Sequence, residues 1–270
     1  MRVTILGTGA YGISLALMFN KNTKNITMWT KFIDELEMLE KKRENKKVLP
    51  GIKIPENIKF TDNMKDAIKD SELIVIAIPA AFCDDVFSEL RHYIKKEQHI
   101  CIATKGIEQD TCLFITDVLE KYIKSKNIAV ISGPSFAVDI ASNVPIGLTL
   151  ATKSRKTEEL LKTFLQNDML KLRHTKDIIG TEICGSIKNV IAIAAGMYHT
   201  VGLKEDGTLI ATRCDEERDY ELGQFFMPAG IFTFNSTSKF FISSFVSEAE
   251  QSESSGITPS ISIISVCCSS

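Results

Sequence analysis

Val3-Thr4-Ile5-Leu6-Gly7-Thr8-Gly9-Ala10-Tyr11-Gly12, followed by a helical pattern over residues 13–20, is the stretch that decides the fold. A short apolar run, glycines in the order Gly-x-Gly-x-x-Gly and then a helix form the strand–turn–helix that opens a dinucleotide-binding unit. Gly7 would make the tight turn, Gly9 would admit a pyrophosphate close to the backbone, and Gly12 would let helix and strand approach. The first N–H groups of the helix have no intrahelical partner, and the dipole end there is positive, so phosphate oxygens are favoured ligands. Three glycines alone would equally suit a structural turn. Their place at the head of an α/β pattern points to dinucleotide binding.

That pattern continues outward. Apolar runs at 3–6, 26–29, 58–60, 73–78, 100–103, 128–131 and 147–151 read as strands, and segments 32–42, 84–96, 113–124 and 156–166 carry apolar residues at helical spacing. The alternation predicts an α/β fold, a Rossmann-type doubly wound and mostly parallel sheet, as a dinucleotide-binding domain over residues 1–178. Residues 178–197 form a helix that is apolar or small on every side, which predicts burial. The region 179–270 is then a second, smaller unit with a Ser-rich tail. Within that tail only 240–246 and 261–266 have strand-like composition.

Lys+Arg 32 against Asp+Glu 34 gives a net charge of -2, and 44% of the chain is hydrophobic, so a sizeable core is available and disordered or fibrous classes are excluded. With no global field to draw nucleic acid or an anionic membrane, a charged ligand must be caught locally. The apolar stretches are too short to span a bilayer, no signal peptide is expected, and no cysteine or histidine spacing suits a metal. Cys83, Cys101, Cys112 and Cys184 lie in apolar segments, and a reducing cytoplasm is the expected home.

Several residues are candidates for chemistry. Strand 26–29 is followed by Thr30-Lys31, where an NAD-selecting enzyme places an acid; Lys31 would instead meet a 2′-phosphate, so NADP should be tolerated. A solvated Lys31 fits equally well. Pro79 and Lys105 follow apolar strands and should face the crevice at the sheet's carboxyl ends, although a lone lysine there is ordinarily solvated. The turn Ser132-Gly133-Pro134-Ser135-Phe136-Ala137 can hold an anion, or simply cap a helix. Lys188 stands in the apolar helix, where an ammonium needs a partner or a job. Desolvation lowers a lysine's pKa and suits it to acid/base work, against the plainer alternative of snorkelling to solvent.

Taken in order, GTGAYG, Arg43-Glu44-Asn45 through Leu49-Pro50-Gly51, Ala103-Thr104-Lys105-Gly106, residues 132–137 and Lys188-Asn189-Val190-Ile191-Ala192-Ile193-Ala194-Ala195-Gly196-Met197 resemble the bacterial-type NAD(P)-dependent sn-glycerol-3-phosphate dehydrogenases. The resemblance implies reduction of dihydroxyacetone phosphate to sn-glycerol 3-phosphate, the precursor of phospholipid head groups, with NAD or NADP as cofactor. It implies that Ala10, Tyr11, Lys31 and Ala137 contact the dinucleotide, that Lys105 touches cofactor and substrate, that Gly133 and Ser135 hold substrate, and that Lys188 transfers the proton. A homodimer is a weaker implication.

The family continues into a helical second domain with an Ala-Gly-x-Gly-Asp-Leu segment, whose Asp supports the lysine, and an Arg-Asn pair that grips the substrate phosphate. Here Leu209-Ile210-Ala211-Thr212-Arg213 still resembles the entry to that domain, but Ser-rich sequence stands where the Asp and the pair are expected. The C-terminal region therefore reads as incomplete and activity as weakened. Gly196 to Thr208 is also similar to one repeat of the seven-bladed chromatin-condensation-regulator propellers, and one copy cannot close a propeller. A dinucleotide-binding protein without catalysis, and a related reductase of another keto substrate, stay open on these residues.

Overall fold

The computed structural model describes the backbone of residues 2–109, 111–196, 200–203, 209–212, 214–215 and 218–219, and side chains up to residue 187. Two compact units are present, Met1–Ser186 and Ile187–Ser270.

The first unit is built on eight strands: β1 (Arg2–Leu6), β2 (Asn25–Trp29), β3 (Ile58–Thr61), β4 (Leu73–Ile76), β5 (His99–Ile102), β6 (Ile128–Ser132), β7 (Ile146–Thr152) and β8 (Leu170–Thr175). They form one sheet in the order β3-β2-β1-β4-β5-β6-β7-β8. Strands β3 through β6 in that order run parallel, β7 is antiparallel to β6, and β8 is parallel to β7. β1 lies centrally, with Leu6 opposite Trp29 on one side and Ile76 on the other.

Burial explains the pattern. Val3, Ile5, Val75 and Ile131 face one cluster, while Leu6, Ile74, Ile76 and Val130 face another, so each inner strand is apolar on both sides and reads as a continuous run. The first face is covered by α1 (Ala10–Phe19), α2 (Ile33–Lys42), α6 (Ala137–Ala141) and α7 (Arg155–Leu165). The second is covered by α3 (Met64–Ile68), α4 (Cys83–Leu90) and α5 (Ile115–Tyr122). All seven strands read from the sequence are present.

β8 was not foreseen, because its Leu-Lys-Leu-Arg-His-Thr alternates half-buried and exposed positions at the sheet edge. α4 is shorter than the 84–96 expectation, since residues 95–98 turn to place the buried Gln98 amide on the carbonyls of Ile68 and Ser71. Cys83 and Cys101 are buried as expected; Cys112 is exposed, with φ 54 in a loop closed by Glu108, whose carboxylate accepts the amide and hydroxyl of Thr111.

α8 (Ile178–Gly196) forms where the helix was expected, but the expected burial is not general: among its described side chains Thr181 and Glu182 are buried, Ile179 is exposed and the others are half-buried. Beyond it, β9 (Thr200–Leu203) pairs antiparallel with β10 (Leu209–Thr212), and β11 (Cys214–Asp215) with β12 (Arg218–Asp219). The described residues after α8 are thus strands where a helical region was expected; the expected strand-like runs at 240–246 and 261–266 lie outside the described residues.

Candidate functional site

The turn after β1 is tied down where β2 ends, the Gly7 amide donating to the Trp29 carbonyl at 2.9 Å. Each glycine then has its own reason. Gly7 sits at φ 115, and a Cβ there would overlap the Ala77 carbonyl; one on Gly12 would overlap the Gly7 carbonyl. Those two are packing glycines. Gly9 differs: its backbone is extended, at φ -69 and ψ 176, and a Cβ would meet nothing within 4 Å. The fold itself does not need a glycine at position 9, and the missing side chain leaves room above the turn. Gly9 is also the N-cap of α1 and provides no side-chain cap, so the first amides of the helix point outward without that partner. The residues present therefore fit a pyrophosphate.

Beside this turn the fold gathers residues from three further strand ends. The hydroxyls of Tyr11 and Ser135 are 3.0 Å apart, and the Ser14 hydroxyl donates to the Ala137 carbonyl at 2.6 Å, fastening α1 to the loop after β6 and to the first residue of α6. The Lys105 ammonium, from the loop after β5, lies 4.6 Å from the centre of the Tyr11 ring. Burial pushes the Tyr11 phenol up to about 12, against the lowering effect of Ser135 and with a small upward contribution from Cys101, so it stays protonated at neutral pH. Ser135 is buried and also donates to the Gly133 carbonyl at 3.3 Å.

Gly133 has a packing reason of its own, since at φ 154 its Cβ would fall 2.5 Å from the Gly147 carbonyl of β7. Pro79 is exposed at the start of the single turn Ala80–Phe82, and the Thr104 hydroxyl donates to the Ile78 carbonyl at 2.8 Å, joining the loops after β4 and β5. Lys31 is exposed just beyond β2. Lys188 belongs to α8, but its side chain lies outside the described residues. Tyr11, Lys105, Ser135 and Ala137 are thus brought together by the fold. Among the described residues no group of His, Cys, Asp or Glu could hold a metal, and no helix is long and apolar enough to cross a membrane.

Three features escaped the sequence reading. Glu35 accepts hydrogen bonds from Thr8, Thr30 and Asn45, so an acid that looked like an ordinary first-turn residue is tied to the glycine turn. Gly185 of α8 passes so near the end of β6 that a Cβ would sit 3.0 Å from the Ser132 hydroxyl and 3.9 Å from Lys105 Cγ. Glu182, also of α8, accepts the Thr116 amide at 3.0 Å and hydroxyl at 2.5 Å at the start of α5. The argument applied to Lys188, an ionisable group in an apolar helix, would have found it.

Burial raises the Glu182 carboxyl from the ordinary 4.5 to about 7, with Thr116 pulling it back and Asp117 adding to the rise. Between those two values the folded chain keeps a proton that the unfolded chain has lost, so stability falls as pH rises through the window and levels off above it. Glu182→Gln abolishes that slope. Relative to wild type, the variant gains on the order of 3 kcal/mol between pH 4 and pH 8, read from urea unfolding at each pH. An unchanged slope would contradict the buried, proton-holding carboxyl.

Architecture and turn define a Rossmann-type α/β domain, and comparison with known proteins narrows the class. The sequence model described as NAD-dependent glycerol-3-phosphate dehydrogenase N-terminus matches residues 2–158, and the corresponding C-terminus model matches residues 177–227. A glycerol-3-phosphate dehydrogenase (NAD(P)+) of Fusobacterium nucleatum is 37% identical over 199 residues, covering 73% of this chain and 59% of that protein. One from Agathobacter rectalis is 34% identical over 201 residues, 74% and 60% of the two chains. Among solved structures, the glycerol-3-phosphate dehydrogenase of Coxiella burnetii superposes with a TM-score of 0.68 at 28% identity, over 73% of this chain and 60% of that one. That of Plasmodium falciparum, at 21% identity, shares the fold with a TM-score of 0.67 over 73% and 58%. The chain belongs to the NAD-dependent glycerol-3-phosphate dehydrogenase family. It spans about six-tenths of the length of the curated relatives it matches.

Proposed function

We propose that this chain reduces dihydroxyacetone phosphate to sn-glycerol 3-phosphate with NADH or NADPH, supplying the glycerol backbone of phospholipids. The observation that carries the reading is the convergence of Tyr11, Lys105 and Ser135 beside a glycine turn whose middle glycine faces open space. Gly7, Gly9, Ala10, Tyr11, Gly12, Lys31, Pro79 and Ala137 form the dinucleotide site within a domain of residues 1–178, and residues 179–270 belong to the substrate domain. The bound dinucleotide supplies a hydride. Lys105 lends positive charge to the substrate's carbonyl and phosphate side, and Gly133 and Ser135 hold the substrate in place. Lys188, three residues beyond Gly185 in sequence, gives a proton to the carbonyl oxygen as it becomes an alkoxide. The site is cytoplasmic, and the family likeness supports a homodimer.

Residues 198–270 offer Lys204, Arg213, Arg218 and Lys239 in place of the family's Arg-Asn clamp. Remote phosphate binding helps to hold the reacting carbonyl in position, so its loss depresses turnover as well as affinity. The test follows NADH and NADPH oxidation with dihydroxyacetone phosphate and with dihydroxyacetone. The expected result is a saturable, phosphate-dependent reaction. Equal rates on the two ketones would favour another reductase, and no oxidation despite cofactor binding would favour a non-catalytic binding protein. A full-strength rate would show that the tail supplies the clamp in another form.

A further inference from the structure

The end of β2 lacks an acid in sequence, but the fold delivers one from α2. Glu35 Oε2 accepts the hydroxyl of Thr8 at 2.6 Å and that of Thr30 at 2.8 Å, and Oε1 accepts the Asn45 amide at 3.0 Å. Thr8 stands between the first two glycines, and Thr30 is the first residue after β2. Those two residues bracket the place where the adenosine ribose lies in dinucleotide-binding folds of this topology, the place at which an acid reads the 2′-hydroxyl.

The carboxylate is half-buried, and its three partners are neutral. A carboxylate accepts along about four lone-pair directions, so these partners leave one on Oε1 for a further hydroxyl. The second anchor also accounts for the Arg43-Glu44-Asn45 segment. Arg43 donates to the Ile58 carbonyl at 2.7 Å and stacks over Phe60 at 4.7 Å, and Glu44 accepts the Gly51 amide at 3.0 Å. Asn45, held between them, is buried and fixes the orientation of Glu35. Opposing charge is present in Lys31, but that side chain is exposed, where water screens its attraction for a phosphate; the half-buried carboxylate is screened less.

We propose that Glu35 determines cofactor choice: its carboxylate accepts the ribose 2′-hydroxyl and repels a 2′-phosphate, so the chain binds NADH more tightly than NADPH while admitting both. The inference rests on the dinucleotide reading above, and its test separates the two.

Binding is read from quenching of the single tryptophan, Trp29, during titration with NADH, NADPH and 2′-deoxy-NADH, for wild type and Glu35→Gln. Wild type should bind NADH about tenfold more tightly than either analogue, the scale of one hydrogen bond to a charged group. In Glu35→Gln, shown folded by circular dichroism, the preference over NADPH should fall about tenfold, because the charge is gone. An unchanged ratio in the folded variant overturns the proposal, as does wild-type preference for NADPH or equal binding of the 2′-deoxy analogue. If Glu35→Gln fails to fold, the wild-type series alone decides, since control by Lys31 would reverse the order of NADH and NADPH. Binding of none of the three would overturn the dinucleotide reading itself.

Discussion

Replacing Lys188 with Met should lower the turnover of dihydroxyacetone phosphate by at least ~10²-fold, the lower end of what general acid catalysis contributes, while NADH affinity stays near the wild-type value. Methionine keeps the length and apolar character of the lysine stem within α8 and removes the transferable proton. The split between turnover and cofactor affinity is what distinguishes proton transfer from a packing role. A lysine that only snorkels to solvent would leave turnover close to wild type, and a structural one would lower the melting temperature and NADH binding together. The comparison is a ratio within one chain, so it holds even if the wild-type rate is small.

The second large effect is structural. Gly12→Val puts a side chain onto the Gly7 carbonyl, a backbone atom in a turn that the Gly7–Trp29 hydrogen bond holds in place. Neither α1 nor β1 can retreat freely, because Ile13, Leu15, Ala16 and Phe19 are buried on one side and Val3 and Ile5 on the other. Overpacking a rigid contact costs about 3 kcal/mol or more, a large share of the stability of an ordinary domain. Denaturant unfolding of Gly12→Val should show that loss. A change within about 0.5 kcal/mol, the range of ordinary surface substitutions, would mean that helix and strand are not closely packed at this turn.

Much of this was legible in the residues, for a physical reason. Strands buried on both faces are continuous apolar runs, so β1 through β7 stood out, and the Gly-x-Gly-x-x-Gly turn announced itself by spacing. β8 was missed because an edge strand carries exposed Lys171 and Arg173 alternating with leucines that are only half-buried, and so loses the apolar signal. Tyr11, Lys105, Ser135 and Ala137 were found, but what joins them was not. The hydroxyl pair, the ammonium above the ring and the Ser14 bond to Ala137 connect residues 123 or more positions apart, or different strand ends, and no local pattern encodes that. Glu35 illustrates the limit best. In sequence it is one of several acids in a charged helix; its meaning comes from Thr8, Thr30 and Asn45, contributed by three different connections.

The proposed reaction requires dinucleotide binding at the turn of residues 7–12, and Gly9→Val tests that binding. The added side chain starts in space free of protein atoms, at a backbone conformation that valine adopts readily, so the melting temperature should be unchanged. The measurement is a fluorescence titration with NADH. Wild type should bind in the micromolar range, roughly -8 kcal/mol, and Gly9→Val, folded to the same degree, should lose at least about tenfold in affinity as the valine enters the place of the pyrophosphate. Equal affinities in the two proteins would contradict the assignment.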